Sequence, residues 1–152
     1  MRARVSLALT LVLILFTAKL GAQSNLLIDE LLEEERVTFG KTAYLVLGAA
    51  RLVLEETSVD EALDFLSRTD WKVEVKKQDA PIRLGEYAFL LMKAFDIKGG
   101  LMYGLFPGPR YACRELAYMG FIKSNALAYR TLSGEEALRI LGRVLDWKGE
   151  QS

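Results

Sequence analysis

A mainly α fold is what the sequence predicts, and three observations carry the prediction. Apolar residues recur every three to four positions in six separate stretches. Ser58 with Glu61, and Ser133 with Glu136, have capping-box spacing, in which a hydroxyl and a carboxylate satisfy the free amides at a helix start. Only Trp71–Lys76 alternates apolar and charged residues at the strand period, so at most one short β element is expected.

The first residues have a different layout. Arg2 and Arg4 precede the apolar run Val5–Ala18, and Leu20-Gly21-Ala22 ends in small residues. That is the pattern of a secretory signal peptide over 1–22, with cleavage after Ala22. Lys19 interrupts the run before the ~20 apolar residues that a spanning helix wants. The expectation is an exported chain, periplasmic or in the cell envelope, with no stable membrane span after cleavage.

Composition narrows the chemistry. The chain has 20 basic and 20 acidic residues, and loss of a leader holding Arg2, Arg4 and Lys19 leaves the remainder three charges acidic. A general nucleic-acid binder would carry a basic excess, so no nucleic-acid partner is expected. There is no His, which removes the usual general base and zinc ligand, and no metal or cofactor is implied. Cys113 is the only cysteine, so no internal disulfide can form. Its neighbours Ala112, Leu116 and Ala117 predict a buried thiol.

The elements follow in order. Residues 23–36 predict an amphipathic helix from Leu26 to about Arg36, with Leu27, Leu31 and Leu32 on one face and the acids around them. Thr38 is a plausible cap for a second, nearly all-apolar helix to about Leu54. A third starts at Ser58 and buries Val59, Ala62, Leu63 and Leu66. Arg83–Phe95 is the central helix, with Leu84, Tyr87, Ala88, Leu91 and Phe95 on one face. Leu101–Pro109 holds Gly104, Pro107, Gly108 and Pro109 and predicts an irregular loop. Pro109 suits the first turn of the next helix, Arg110–Met119, with Gly120 as its C-cap. Asn125–Arg130 reads as a connector. The last helix runs from Ser133 to about Trp147, burying Leu138, Leu141, Val144 and Leu145, and Gly149 closes it.

Three helix openings can be superposed: VTFGKTAYLVLGAARLV from Val37, IRLGEYAFLLMKAFDI from Ile82, and LSGEEALRILGRVLDW from Leu132. Spacing in this range signals repeated supersecondary units that stack into a common core. An apolar residue, a hydroxyl cap and a following acid also describe any good helix start. Ile82, Glu86, Tyr87 and Ala88, then Tyr111-Ala112 and Gly120-Phe121-Ile122, resemble the S-layer homology module. The resemblance spans most of Val37–Trp147. It implies a helical repeat bundle of three helix–loop–helix units over 37–148 in pseudo-threefold arrangement. It also implies grooves that hold acidic cell-wall glycan through an Arg in each opening. Phe39, Leu84 and Gly134 occupy those Arg positions here. Arg83 stands one residue earlier, a rotation of ~100° on a helix.

Candidate site residues cluster after the Gly/Pro loop. Arg110 and Arg114 lie four apart on one helix face, beside a helix start whose free amides also favour anions. Arg83 is a third candidate anion contact, and Tyr103 or Tyr111 could stack on a sugar ring. The alternative for the arginines is that they pair with acids such as Glu115 or Asp96, or simply lie in solvent. Met102, Leu105 and Phe106 in the loop must pack on the core or on a partner. No two carboxylates are marked out as the pair that glycoside hydrolysis needs. The first expectation is a non-enzymatic envelope scaffold or adhesion module that binds a protein partner. A carbohydrate-binding module for an acidic wall polymer comes next, and a small carboxylate-dependent hydrolase third.

Overall fold

Three short backbone openings tie the chain together. The computed structural model describes residues 26–54 and 56–151; the expected leader at 1–22 lies outside the described residues. Among those residues the helices are α1 (26–33), α2 (Phe39–Ala49), α3 (Val59–Ser67), α4 (Leu84–Ala94), α5 (Leu101–Leu105), α6 (Pro109–Tyr118) and α7 (Gly134–Glu150). The protein is mainly helical. Its only described β pairings are isolated bridges, Thr38 with Pro81 and Arg83 with Thr131.

The openings are the extended residues just before α2, α4 and α7. Phe39 N–H donates to the Ala80 carbonyl at 2.7 Å, Leu84 N–H to Arg130 at 2.8 Å, and Gly134 N–H to Glu34 at 2.9 Å. Each opening is thereby fastened to the turn that precedes another opening, and the three links close a circuit. Val37, Ile82 and Leu132, the apolar residue of each opening, are all buried at the centre. Val37 donates to Leu132 and accepts from Ile82.

The core lies around α4, which buries Leu84, Tyr87, Phe89, Leu90, Leu91 and Met92. An apolar run of this kind on all sides suits a central helix. The Tyr87 hydroxyl donates to the Ala137 carbonyl at 2.7 Å and ties α4 to α7; burial pushes its ionisation well above the ordinary range. Phe121 meets Trp147 edge to face at 5.8 Å, closing the far end of α7 onto the segment after α6.

Several boundaries differ from the sequence expectation. The described part of α1 ends at residue 33, not Arg36, and Leu32 faces solvent. Helix α2 stops at Ala49, not Leu54. Arg51 adopts φ 58°, and Leu52 N–H bonds back to the Leu47 carbonyl, a Schellman closure. Helix α4 closes in the same way, within a residue of the expected Phe95, with Asp96 at φ 51° and Ile97 N–H on Met92. Such closures are hard to foresee when the left-handed residue is not glycine. Trp71–Lys76 forms no strand, because no described edge lies beside it to pair with; Lys72 turns the chain at φ 58°. The loop after α4 is not wholly irregular, since Leu101–Leu105 forms the short helix α5. Helix α7 passes through Gly149 to Glu150, and Leu145, expected inside, is exposed.

The caps also sort themselves. The Ser58–Glu61 box is complete. At Ser133 only the hydroxyl half forms, because the Glu136 carboxylate turns to Arg130 instead. Thr38 holds the cap position of α2 without a side-chain bond to the helix start; the hydroxyl of Thr42 donates back to its carbonyl at 2.8 Å.

Candidate functional site

A cleft of about 620 Å³ opens where α4, α6 and the segment 126–129 meet. Its cations are Arg83, Arg110 and Arg114, and Tyr129, Leu127 and Pro109 give it apolar surface. These residues are far apart in sequence, and three local features bring them together.

The first is the start of α4. Gly85 N–H donates to the Ala128 carbonyl at 2.8 Å, so segment 128–130 lies on this helix end. A Cβ at Gly85 would stand 2.8 Å from the Ala128 Cβ and 2.9 Å from the Pro109 carbonyl oxygen. Only a residue without a side chain lets the three segments approach this closely. Arg83, the cap residue just before, is thereby carried to the cleft. Its backbone N–H is taken by the Glu86 carboxylate at 2.8 Å; a guanidinium has no acceptor to return.

The second is α6. Pro109 begins it, and Ala112, Cys113 and Leu116 form its buried side. Arg110 and Arg114 fall on the opposite, exposed side, one turn apart. The Cys113 thiol donates to the Ala126 carbonyl at 3.3 Å, and burial pushes its ionisation up. That bond holds the cleft wall against the helix.

The third is Arg130, whose side chain pins the wall from behind. Its Nε donates to the Asn125 carbonyl at 2.6 Å. One terminal nitrogen reaches Glu136 at 2.7 Å and the Thr131 carbonyl at 3.1 Å; the other reaches Glu136 at 2.6 Å and the Ser124 hydroxyl at 3.1 Å. All five donors of the guanidinium are engaged. The ion pair with Arg130 holds the Glu136 carboxyl below the usual carboxylate range, against partial burial.

The electrostatics of the cleft follow. None of Arg83, Arg110 and Arg114 is within ion-pairing distance of a carboxylate among the described residues. Asp96, a partner the sequence suggested, is bound to Lys98 at 2.6 Å, and Glu115 lies against Gly100. The cleft's one carboxylate, Glu86, is neutralised by Lys76 at 2.5 Å. Three exposed cations without a carboxylate partner among the described residues therefore line one cleft, a setting for a ligand carrying carboxylate, phosphate or sulfate.

A neighbouring recess of about 380 Å³ has more cations in its lining, Lys123, Arg130, Arg139 and Arg143. There Arg130 is held by Glu136, Arg139 by Glu135, and Arg143 by the Phe121 carbonyl at 2.6 Å. Those guanidinium groups already have partners, so the first cleft is the stronger candidate.

The aromatic expectations need correction. Tyr103 is buried edge to face against Phe89 at 6.3 Å, and burial pushes its ionisation up to about 12. It packs the core because α5 turns it inward. Tyr111 is half-buried with its ring stacked on Phe106 at 6.4 Å, and it does not line the cleft. The ring available in the cleft is Tyr129, 69 % exposed, in a stretch that the sequence marked only as a connector. Leu101, Met102, Leu105 and Phe106 are largely exposed and do not pack into the core.

Among the described residues no three Cys, Asp or Glu gather as metal ligands, and no helix is long and apolar enough to cross a membrane. No family model, curated protein or solved structure matches the chain.

Proposed function

We propose that the chain is a non-enzymatic, exported module of the bacterial envelope that holds an acidic polymer of the cell-wall glycan class. The ligand lies in the cleft between α4, α6 and segment 126–129. One observation carries the reading: three arginines without carboxylate partners converge beside an exposed tyrosine. Arginine pairs bidentately with carboxylates, and an amphipathic ring offers a platform for a sugar face. The closed circuit of backbone bonds among the openings supports an S-layer homology-like arrangement of three units around a pseudo-threefold axis. With Phe39, Leu84 and Gly134 at the family's Arg positions, Arg83, Arg110 and Arg114 take over the anion contact.

Purified wall sacculi test this directly. Wild-type protein sediments with them, and Arg110→Ala with Arg114→Ala abolishes retention while the thermal midpoint stays put. Wild-type protein left in the supernatant ends the proposal.

A second reading rests on α5. Its Leu101, Met102, Leu105 and Phe106 form an exposed apolar face that suits an envelope protein partner. In that reading the module is a scaffold, and in-cell cross-linking through a photoreactive residue at Met102 captures one reproducible protein. A ladder of unrelated products counts against it.

A further inference from the structure

We propose that the apolar face of α5 inserts into the surface of an anionic lipid membrane, with the lysines beside it held at headgroup level. This attachment is independent of the arginine cleft, and it gives the face a lipid occupant in place of the protein partner of the second reading.

The face is built by spacing. Leu101 and Leu105 stand four apart, as do Met102 and Phe106, so all four share one side of a helical stretch. Leu101 is 74 % exposed, Met102 49 %, Leu105 60 % and Phe106 62 %. Tyr103 turns inward instead, edge to face on Phe89, and fastens α5 to α4. Residues 99–109, GGLMYGLFPGP, hold no charged side chain. A contiguous apolar patch of this kind marks a surface that something else covers.

Two observations choose lipid. The first is area. The four side chains offer roughly half of the ~800 Å² per partner that a stable protein interface covers. A bilayer needs no matched partner surface; it accepts a small wedge of leucine, methionine and phenylalanine. With only five residues, α5 is a wedge for one leaflet and not a span.

The second is charge. Lys93 and Lys98 line a recess together with Tyr103 and Gly104 of α5. Lys93 lies over the Phe89 ring at 5.5 Å, and Lys148 donates to the Phe95 carbonyl at 3.2 Å. Lys98 pairs with Asp96 at 2.6 Å. Lys98, Lys148 and Lys93 together hold the Asp96 carboxyl below the usual carboxylate range, so three cations surround that one acid. Arg110 follows the uncharged stretch on its other side, and Glu115 lies against Gly100. Cations therefore outnumber these acids at the base of α5, which suits phosphate headgroups. Lysine stems can lie along apolar surface while the ammonium stays in the headgroup layer.

The test uses phosphatidylglycerol vesicles, neutral phosphatidylcholine vesicles as control, and the chain recovered after export. Wild type sediments with the anionic vesicles, and binding falls as salt rises. Leu101→Gln with Leu105→Gln weakens it by at least about tenfold, while the thermal midpoint and the retention on wall sacculi stay at wild type. Lys93→Gln with Lys98→Gln weakens it by about tenfold. Phe106→Trp reports depth: on anionic vesicles its emission shifts to the blue and is quenched by brominated acyl chains, beyond the signal of Trp71 and Trp147 in wild type. If wild type binds vesicles while the indole of Phe106→Trp stays unquenched, the contact runs through cations elsewhere and insertion is wrong. If wild type binds no vesicle, the lipid proposal falls, and a single protein cross-linked at Met102 then gives the face to a protein partner. Loss of sacculus binding with vesicle binding intact removes the glycan reading alone.

Discussion

Helices α3 and α6 occupy corresponding places in the chain, yet they carry opposite charge. Each precedes an opening by the same distance, α3 before Ile82 and α6 before Leu132. Ala62 and Leu66 are buried in one as Ala112 and Leu116 are in the other. Gln78 and Ala128 accept from Gly40 and Gly85 at the starts of α2 and α4. Outside this common frame the residues invert. Asp60, Asp64 and Asp79 stand where Arg110, Arg114 and Tyr129 stand, and Thr38 stands where Arg83 does. The buried positions set how helices pack, and the exposed ones are free to vary. One flank therefore presents arginines where the other presents aspartates.

The comparison can be broken first at the glycines. A Cβ at Gly40 would meet Gln78 at 2.7 Å, much as one at Gly85 meets Ala128 at 2.8 Å. Gly40→Ala and Gly85→Ala should each cost about 2–3 kcal/mol in urea unfolding. A large cost at one and none at the other would mean that the two frames are not alike.

Charge exchange is the next largest effect. Arg110→Asp with Arg114→Asp gives α6 the charges of α3. It should weaken the binding of an acidic glycan by about a hundredfold, the scale of two lost charge-assisted contacts. Stability should move by less than about 0.5 kcal/mol, because both positions are exposed. Retained binding would put the site elsewhere.

The ion pairs behind the openings give a smaller, pH-dependent signature. The residue four after Leu132 is Glu136, whereas the residue four after Val37 is Lys41. Arg130 lowers the Glu136 carboxyl, so that pair stabilises the fold above the unfolded carboxyl's range and fades as pH falls through the folded value. Lys41 is the reverse. Its bonds to Glu34, at 2.5 Å, and to Glu30 raise its ionisation, so its contribution holds below the unfolded value and is lost as pH rises through the raised one. Glu136→Gln should cost about 1 kcal/mol at neutral pH, and the gap to wild type should close as pH falls below the usual carboxylate range. Lys41→Met should lose its difference only on the alkaline side. The least effect is expected from Asp60→Arg with Asp64→Arg, a gain of a few-fold in anion binding at most, because Thr38 and Asp79 remain.

Much of this frame was legible in the sequence because it is local. The openings at Val37, Ile82 and Leu132 combine an apolar anchor with a helix start, and Ser58 with Glu61 is a complete box. The cations Arg83, Arg110 and Arg114 could be named because charge beside a helix start is a sequence property. Their convergence could not, since it depends on Gly85 meeting Pro109 and Ala128 across distant segments. Tyr129 went unmarked for the same reason. The end of α2 differs from its expected place because the surroundings impose a left-handed turn on Arg51, a residue that does not favour it. Trp71–Lys76 had the right alternation, but alternation is no strand without a neighbour.

The bond from Gly134 to Glu34 has a consequence for biosynthesis. Synthesis delivers the acceptor roughly a hundred residues before its donor, a long-range contact of the kind that slows folding. Until the final helix emerges, the last link of the ring has no partner, and Leu31 has no glycine to press against. A chain released early would leave that end ajar and open to proteases, so a ribosome stall inside α7 should be read out as degradation, with no half-active fragment surviving.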